Sequence, residues 1–413
     1  MKPDNKYLKS LAVLFSGSLI AQGISILFAP IMTRAFSAEN LGVYTYLLSI
    51  TTMFMPVVNL RYDMSIVSLK EEEEIFPLIK GSLIVGGLVS VVTTVGYGLF
   101  VMFSNNNKLY MTIPFFFLIV FSYSLINVFT AYNNKEKNYG LISKVSVIRS
   151  VFQNGLAAVA GFLYNGVIVL LLFYSIGQFA GIKAQMKSLT SYLKVIGEIP
   201  IEKVKYILKR EYKQPLYSTP AIFFNGLAYA LVTILMERLY DFSTVGFYSI
   251  SVRMLGIPIA LIAGNVSKVF FERATAVYHE ESNFRKEFKQ TFLLLLIIAV
   301  PMTLFLMVFS PLLFSIFFGE EWRIAGEYVV ILAPMFGIRF IVTTVSPALI
   351  IVGKQRIEFF LQLSFLISIV GIYLFAAFNK TDVLTFLRLI SLFFSLSYLG
   401  YLWFINKFSK GER

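Results

Sequence analysis

Leu41-Gly-Val-Tyr-Thr-Tyr-Leu-Leu-Ser-Ile-Thr-Thr-Met-Phe-Met-Pro-Val-Val-Asn-Leu-Arg-Tyr-Asp-Met-Ser-Ile-Val-Ser68 is the stretch that decides how this chain folds. It is apolar for long enough to cross a bilayer, which takes roughly 20 residues of α-helix. Near its end stand Arg61 and Asp63, charges that an apolar helix does not carry for its own stability. The stretch is entered through Arg34-Ala-Phe-Ser-Ala-Glu-Asn-Leu-Gly-Val-Tyr44, and that phrase returns as Arg238-Leu-Tyr-Asp-Phe-Ser-Thr-Val-Gly-Phe-Tyr248. Arg34, Gly42 and Tyr44 fall onto Arg238, Gly246 and Tyr248 at one offset of 204 residues. Upstream, Gln22-Gly-Ile-Ser25 and Asn225-Gly-Leu-Ala228 repeat at an offset of 203. A period this long is not that of a solenoid; it marks a duplicated multi-helix half.

Composition sets the class. The chain is 57% hydrophobic and 14% charged, with 42 Phe among 413 residues, whereas soluble domains carry about 25% charged residues. Zero Cys excludes disulfides and thiolate metal sites, and a single histidine, His279, excludes a His-based one. No cofactor is expected. There is no G-x-x-x-x-G-K-[ST] phosphate loop and no H-E-x-x-H, so neither ATP hydrolysis by that route nor zinc chemistry is anticipated. The amino-terminal apolar run continues to about Met32, longer than the core of a signal peptide, and is expected to be a retained first helix.

Apolar segments fall at about 9–33, 41–67, 76–103, 110–132, 142–163, 165–186, 215–237, 244–270, 290–318, 327–352, 357–378 and 384–406, about twelve spans in all. With the amino terminus inside, 26 of the 36 Lys and Arg lie in inner segments and 5 in outer loops. By the positive-inside rule both termini are cytoplasmic. Outer loops are short and leave no room for an external catalytic domain. The inner segment 188–214 is the boundary between an amino-terminal lobe, 1–187, and a carboxy-terminal lobe, 215–413. In it Ile201, Val204, Ile207 and Leu208 share one helical face, with Lys203, Lys205, Lys209, Arg210 and Lys213 elsewhere. That pattern predicts an amphipathic helix on the anionic lipids of the inner leaflet.

Five arginines lie within spans: Arg61, Arg149, Arg253, Arg339 and Arg388. Each costs about 2.5–3.5 kcal/mol at a helix centre and so faces a cavity or a partner. Arg61 and Arg388 sit near the interfaces, where a long side chain snorkels to water. Arg253 and Arg339 fall near mid-depth and are expected to face a polar cavity. Arg149 is followed one turn later by Gln153 and Asn154. Arginines outnumber the intramembrane acids Asp63 and Glu237, and such an excess selects anions, phosphates especially. The candidate substrate-binding set is Arg149, Arg253, Arg339, Arg61, Asp63, Gln153, Asn154 and Asn225. No carboxylate cluster marks a proton or sodium site, so a coupling ion cannot be tied to residues.

Arg34–Tyr44, Asn59-Leu-Arg-Tyr-Asp-Met-Ser-Ile-Val67, Tyr212-Lys-Gln-Pro215 and Phe317-Phe-Gly-Glu-Glu-Trp322 through Gly353-Lys354 resemble the Wzx-type polysaccharide repeat-unit flippases. These share a superfamily with multidrug MATE exporters and lipid II flippases. The resemblance covers nearly the whole chain. It implies an all-α membrane protein, MATE-like, with two six-helix lobes related by a pseudo-two-fold axis along the membrane normal. It further implies alternating access in a bacterial cell membrane, with an undecaprenyl-diphosphate-linked oligosaccharide as cargo, and a transporter rather than an enzyme. A polysaccharide polymerase and assembly proteins are the protein partners it suggests, with no nucleic acid and a monomeric chain. The family's arginine/acid pair after the second helix matches Arg61 and Asp63. A MATE-like drug exporter, which would want acids in its cavity, and a polytopic polymerase or glycosyltransferase, which would want a large outer loop, are the competing readings.

Overall fold

The computed structural model describes residues 5–69, 71–104 and 106–411, with side chains from Ser16 onward except those of 72, 221, 225, 355, 356 and 359. Among them there is no strand. In lipid every backbone donor and acceptor must be satisfied within the chain, and helices do this locally. The chain divides into two compact units, Met1–Ala230 and Leu231–Arg413. Ten segments among the described residues are long and apolar enough to cross a membrane.

The first unit holds α1 (Asn5–Ala35), α2 (Ala38–Phe54), α3 (Tyr62–Ser68), α4 (Glu72–Ser104), α5 (Asn107–Tyr110) and α6 (Ile113–Lys135). Then follow α7 (Tyr139–Ser150), α8 (Ala157–Gly161), α9 (Val167–Phe179), α10 (Ile182–Met186), α11 (Leu193–Glu198) and α12 (Ile201–Arg210). Helix α13 (Thr219–Leu239) starts in this unit and ends in the next. The second unit continues with α14 (Phe242–Pro258), α15 (Gly264–Glu281), α16 (Arg285–Phe318), α17 (Arg323–Val345), α18 (Ala348–Ile351), α19 (Gln355–Asn379) and α20 (Val383–Ser409).

The repeated phrase occupies the same structural place twice. Ser37 caps α2 and Asp241 caps α14, each side chain accepting from the backbone N–H three residues on, which satisfies one of the free donors at a helix start. The bounds of α14 are those of α2 moved by the same 204 residues, and α1 and α13 end at the same offset.

Two expected spans differ from the sequence reading. The span 41–67 is broken: α2 stops at Phe54, and α3 begins at Tyr62 after turns in which Leu60 and Arg61 take left-handed φ of 47° and 63°. Pro56 has no N–H to continue the ladder. The freed polar groups find partners instead. Asn127 of α6 donates to the Met55 carbonyl at 2.8 Å, and fully buried Asn59 donates to the Ser82 carbonyl and to Ser124 Oγ, each at 3.0 Å. The span 142–163 is helical from Tyr139 to Gly161, but Lys144, Arg149, Gln153 and Asn154 keep it out of the ten apolar segments.

The amphipathic helix exists as α12, but protein covers the middle of its apolar face and leaves Ile201 exposed. Val204 and Ile207 are buried and the helix lies along α4, where Gly81 leaves the room: a Cβ there would come within 2.9 Å of Leu208 Cδ2. Arg210 grips Glu74 with both terminal nitrogens, at 2.5 and 2.8 Å, and that hydrogen bonding raises the Arg210 pKa above its ordinary value. Tyr62 Oη donates to the Leu208 carbonyl at 3.2 Å, and Ser65 Oγ to Glu211 at 2.9 Å. Lys80 donates to the carbonyls of Gly197 and Ile199 at 2.7 and 2.8 Å. Lys203, Lys205 and Lys209 remain exposed.

Candidate functional site

An open cavity of about 380 Å³ lies in the first unit, walled by α1, α6, α7 and α9. Helix α7 does not run straight into α8. Between them Val151–Leu156 forms a π-helical turn, the widened turn that recurs at functional sites because it redirects side chains that a regular helix would stack. Gln153 and Asn154 line the cavity from this turn, and Arg149 and Ser150 from the turn before it. Ser18, Gln22 and Ser25 of α1, at helical spacing, line the opposite side. Ser25 Oγ lies 3.4 Å from Asn154 Oδ1, and Ser150 Oγ donates to the Ala21 carbonyl at 2.6 Å, tying α1 to α7. Tyr123 of α6 and Gln178 of α9 complete the wall, which contains no acid.

Arg149 is the cation of this cavity. Its Nε donates to the Ala180 carbonyl at 3.2 Å and one terminal nitrogen to Gln185 Oε1 at 3.0 Å. Both acceptors are neutral, and no ion pair to Arg149 occurs among the described residues. The guanidinium is therefore oriented by the protein while its charge is left unbalanced. Gln185 is itself fixed, buried and donating to Thr130 Oγ1 at 3.2 Å. Ala180 is held by its neighbour Gly181, whose φ of +81° turns the chain from α9 into α10. Gly177 lets α9 press against the π-helical turn: a Cβ there would lie 2.6 Å from Gln153 Cγ.

Three of the residues singled out from sequence thus meet in one place: Arg149, Gln153 and Asn154. Arg61 stands at the position just before α3, beyond the break, with no capping hydrogen bond from its side chain, and Asp63 is buried two residues on. Arg61 Nε and Asp63 Oδ1 are both buried without a hydrogen-bond partner, and neither residue lines the cavity. Arg253, in α14, and Arg339, in α17, belong to the second unit. Arg339 stacks its guanidinium over the Phe336 ring at 5.3 Å. Asn225 lies in α13, and its side chain is outside the described residues. Sequence reading missed Ser18, Gln22 and Ser25, although a polar stripe at that spacing in an apolar helix was the available signal. It also missed Gln178 and Gln185, which nothing local connects to Arg149.

The architecture is that of a MATE-like all-α membrane protein. It superposes on a multidrug resistance MATE family transporter of the MOP superfamily in an inward-facing conformation, with TM-score 0.70, 15% identity and 94% of each chain covered. It also superposes on the lipid II flippase MurJ in an inward closed conformation, with TM-score 0.71, 14% identity, and 96% of this chain and 90% of that one covered. A family model described as polysaccharide biosynthesis protein matches residues 31–325, and the chain belongs to that family. It is 24% identical to the capsular polysaccharide biosynthesis protein CapF of Staphylococcus aureus, over 97% of this chain and 99% of that protein. A shorter match, 25% over 161 residues, joins it to the teichuronic acid biosynthesis protein TuaB of Bacillus subtilis, with 39% of this chain and 33% of TuaB covered.

Proposed function

We propose that this chain is a flippase for a lipid-linked oligosaccharide, most simply one carried on undecaprenyl diphosphate. It would move repeat units from the cytoplasmic to the outer leaflet of the bacterial cell membrane for cell-surface polysaccharide synthesis. The observation that carries this reading is Arg149: a half-buried guanidinium, aimed by two neutral oxygens and ion-paired to no acid among the described residues, in a cavity otherwise lined largely by hydroxyls and amides. Such a wall suits a sugar, and the unbalanced charge suits a phosphate. A cationic drug would want an acid there, so the exporter reading gains no support from this cavity. In the proposed cycle the lobes 1–187 and 215–413, joined by 188–214, alternate access about a pseudo-two-fold axis, with both termini cytoplasmic. Arg253 and Arg339 would meet the diphosphate from the second lobe. Lys203, Lys205 and Lys209, exposed on α12, are the side chains offered to anionic inner-leaflet lipids.

The test is translocation of a fluorescent lipid-linked oligosaccharide in proteoliposomes. Arg149→Ala should slow it about tenfold to a hundredfold, from loss of one charge-assisted contact of roughly 1.5–3 kcal/mol. Arg149→Lys should retain part of the rate, since a point charge still attracts phosphate without binding it in a fork. Parental rates in well-folded Arg149→Ala protein would sink the assignment.

A further inference from the structure

In the second unit α15 and α16 form a hairpin through Ser282–Phe284, and a cleft of about 170 Å³ runs along it. From α15 the cleft takes Val266, Val269, Phe270 and Arg273; from α16 it takes Glu287, Gln290, Thr291 and Leu294. Each set follows the i, i+3, i+4, i+7 spacing of one helix face. Counted away from the hairpin, both faces change in the same sense, from charged (Arg273, Glu287) to apolar (Val266, Leu294). The apolar part stays open, with Val269 52% and Leu294 51% exposed. The groove is preformed. Fully buried Phe284 sits edge-on to Phe270 at 6.3 Å and to Tyr278 at 5.9 Å, and its N–H donates to the Ser409 carbonyl at 3.0 Å.

Arg273 and Glu287 face the same space yet make no ion pair among the described residues. An anion alone would meet the repulsion of Glu287, and a cation alone that of Arg273. A molecule carrying both charges at one end and hydrocarbon at the other meets neither repulsion. We propose that this cleft is a binding site for a zwitterionic phospholipid with a primary ammonium headgroup, a phosphatidylethanolamine. Arg273 takes the phosphate and Glu287 accepts from the ammonium. Gln290 and Thr291 stand where the glycerol ester oxygens fall, and the first methylenes run along Val266, Val269 and Leu294. Glu287 discriminates because a primary ammonium donates hydrogen bonds to a carboxylate and a trimethylammonium cannot. On the orientation expected from the Lys and Arg distribution, the lipid belongs to the inner leaflet. The site does not depend on what the first unit carries.

Native mass spectrometry of the full chain tests this, with phosphatidylethanolamine, phosphatidylglycerol and phosphatidylcholine titrated singly. Phosphatidylethanolamine should bind about tenfold tighter than either of the others, the factor that goes with one charge-assisted contact. Glu287→Gln should bring it down to the level of phosphatidylglycerol, Arg273→Ala should weaken all three lipids, and Val269→Trp should close the groove to each. Equal binding of the three lipids by the parent overturns the proposal, as does an unchanged preference in Glu287→Gln. If Arg273 and Glu287 only hold the hairpin together, their variants will unfold at lower temperature with the lipid order intact, and that result also overturns it.

Discussion

Gly181→Ala probes the frame of the cavity without touching its lining. Two costs can be worked from the geometry. At φ +81° an L side chain is left-handed, worth about 1–2 kcal/mol. The new Cβ would also lie 2.6 and 2.8 Å from the two methyls of buried Val145, and overpacking of that kind costs about 1–3 kcal/mol. Together the variant should lose about 2–5 kcal/mol, seen as a lower apparent unfolding temperature of detergent-solubilised protein followed by size-exclusion fluorescence. In a Val145→Ala background the methyls are gone and only the Cβ contact at 3.2 Å is left, so Gly181→Ala should cost little beyond the backbone part there, a coupling of up to about 1–3 kcal/mol. Relief of the clash by chain movement would shift Ala180, whose carbonyl aims Arg149. Polymer export per folded molecule should therefore fall as well. An unfolding temperature equal to the parent's, or an equal cost with and without Val145, would refute the argument.

Three further outcomes are expected. Arg253→Ala and Arg339→Ala should each lower export in a complementation assay with titrated expression while protein levels hold, and Arg→Lys at either should keep partial function; normal export by both alanine variants removes the second lobe from substrate binding. Single cysteines can be placed freely in a chain with none of its own: those near Asn106, Asp241 and Asn379 should label with an impermeant maleimide from outside and one at Lys205 should not, and labelling at Lys205 reverses the orientation. Asp382 caps α20, and its hydrogen bonds, that with Thr385 first, hold its pKa below the ordinary 3.8; a depressed carboxyl stabilises the fold above its unfolded pKa and loses that contribution as pH falls through the folded value, so Asp382→Ala should lower the unfolding temperature at neutral pH, with the difference from the parent shrinking in acid.

How much the sequence disclosed follows the range of the interactions involved. Arg149, Gln153 and Asn154 could be grouped because one helix sets their spacing. The repeated caps at Ser37 and Asp241 were legible for the same reason, since capping acts within a turn. What escaped was carried by long-range partners. The break before Arg61 hides in an apolar run whose one local signal is Pro56, and it persists because Asn127, over 70 residues away, takes up the Met55 carbonyl. Periodicity gave α12 its apolar face but not what that face meets; lipid and the flank of α4 ask the same of Val204 and Ile207. Gln185 reached Arg149 only through the turn at Gly181, a position that local sequence does not mark as special.

A guanidinium balanced only by neutral oxygens also makes the cavity an electrical element. On the function proposed above, the empty cavity carries the positive charge of Arg149, and a diphosphate, which brings more negative charge than one guanidinium cancels, reverses that sign unless Arg253 and Arg339 move with it. Each charge that crosses the field is worth about 2.3 kcal/mol per 100 mV. The outward, loaded half of a transport cycle and the inward, empty half should then respond with opposite sign to an imposed membrane potential. Where Arg149 is the one guanidinium that moves with the cargo, an interior-negative voltage would drive both halves in the direction of export, and a cell's resting polarisation would supply part of the work.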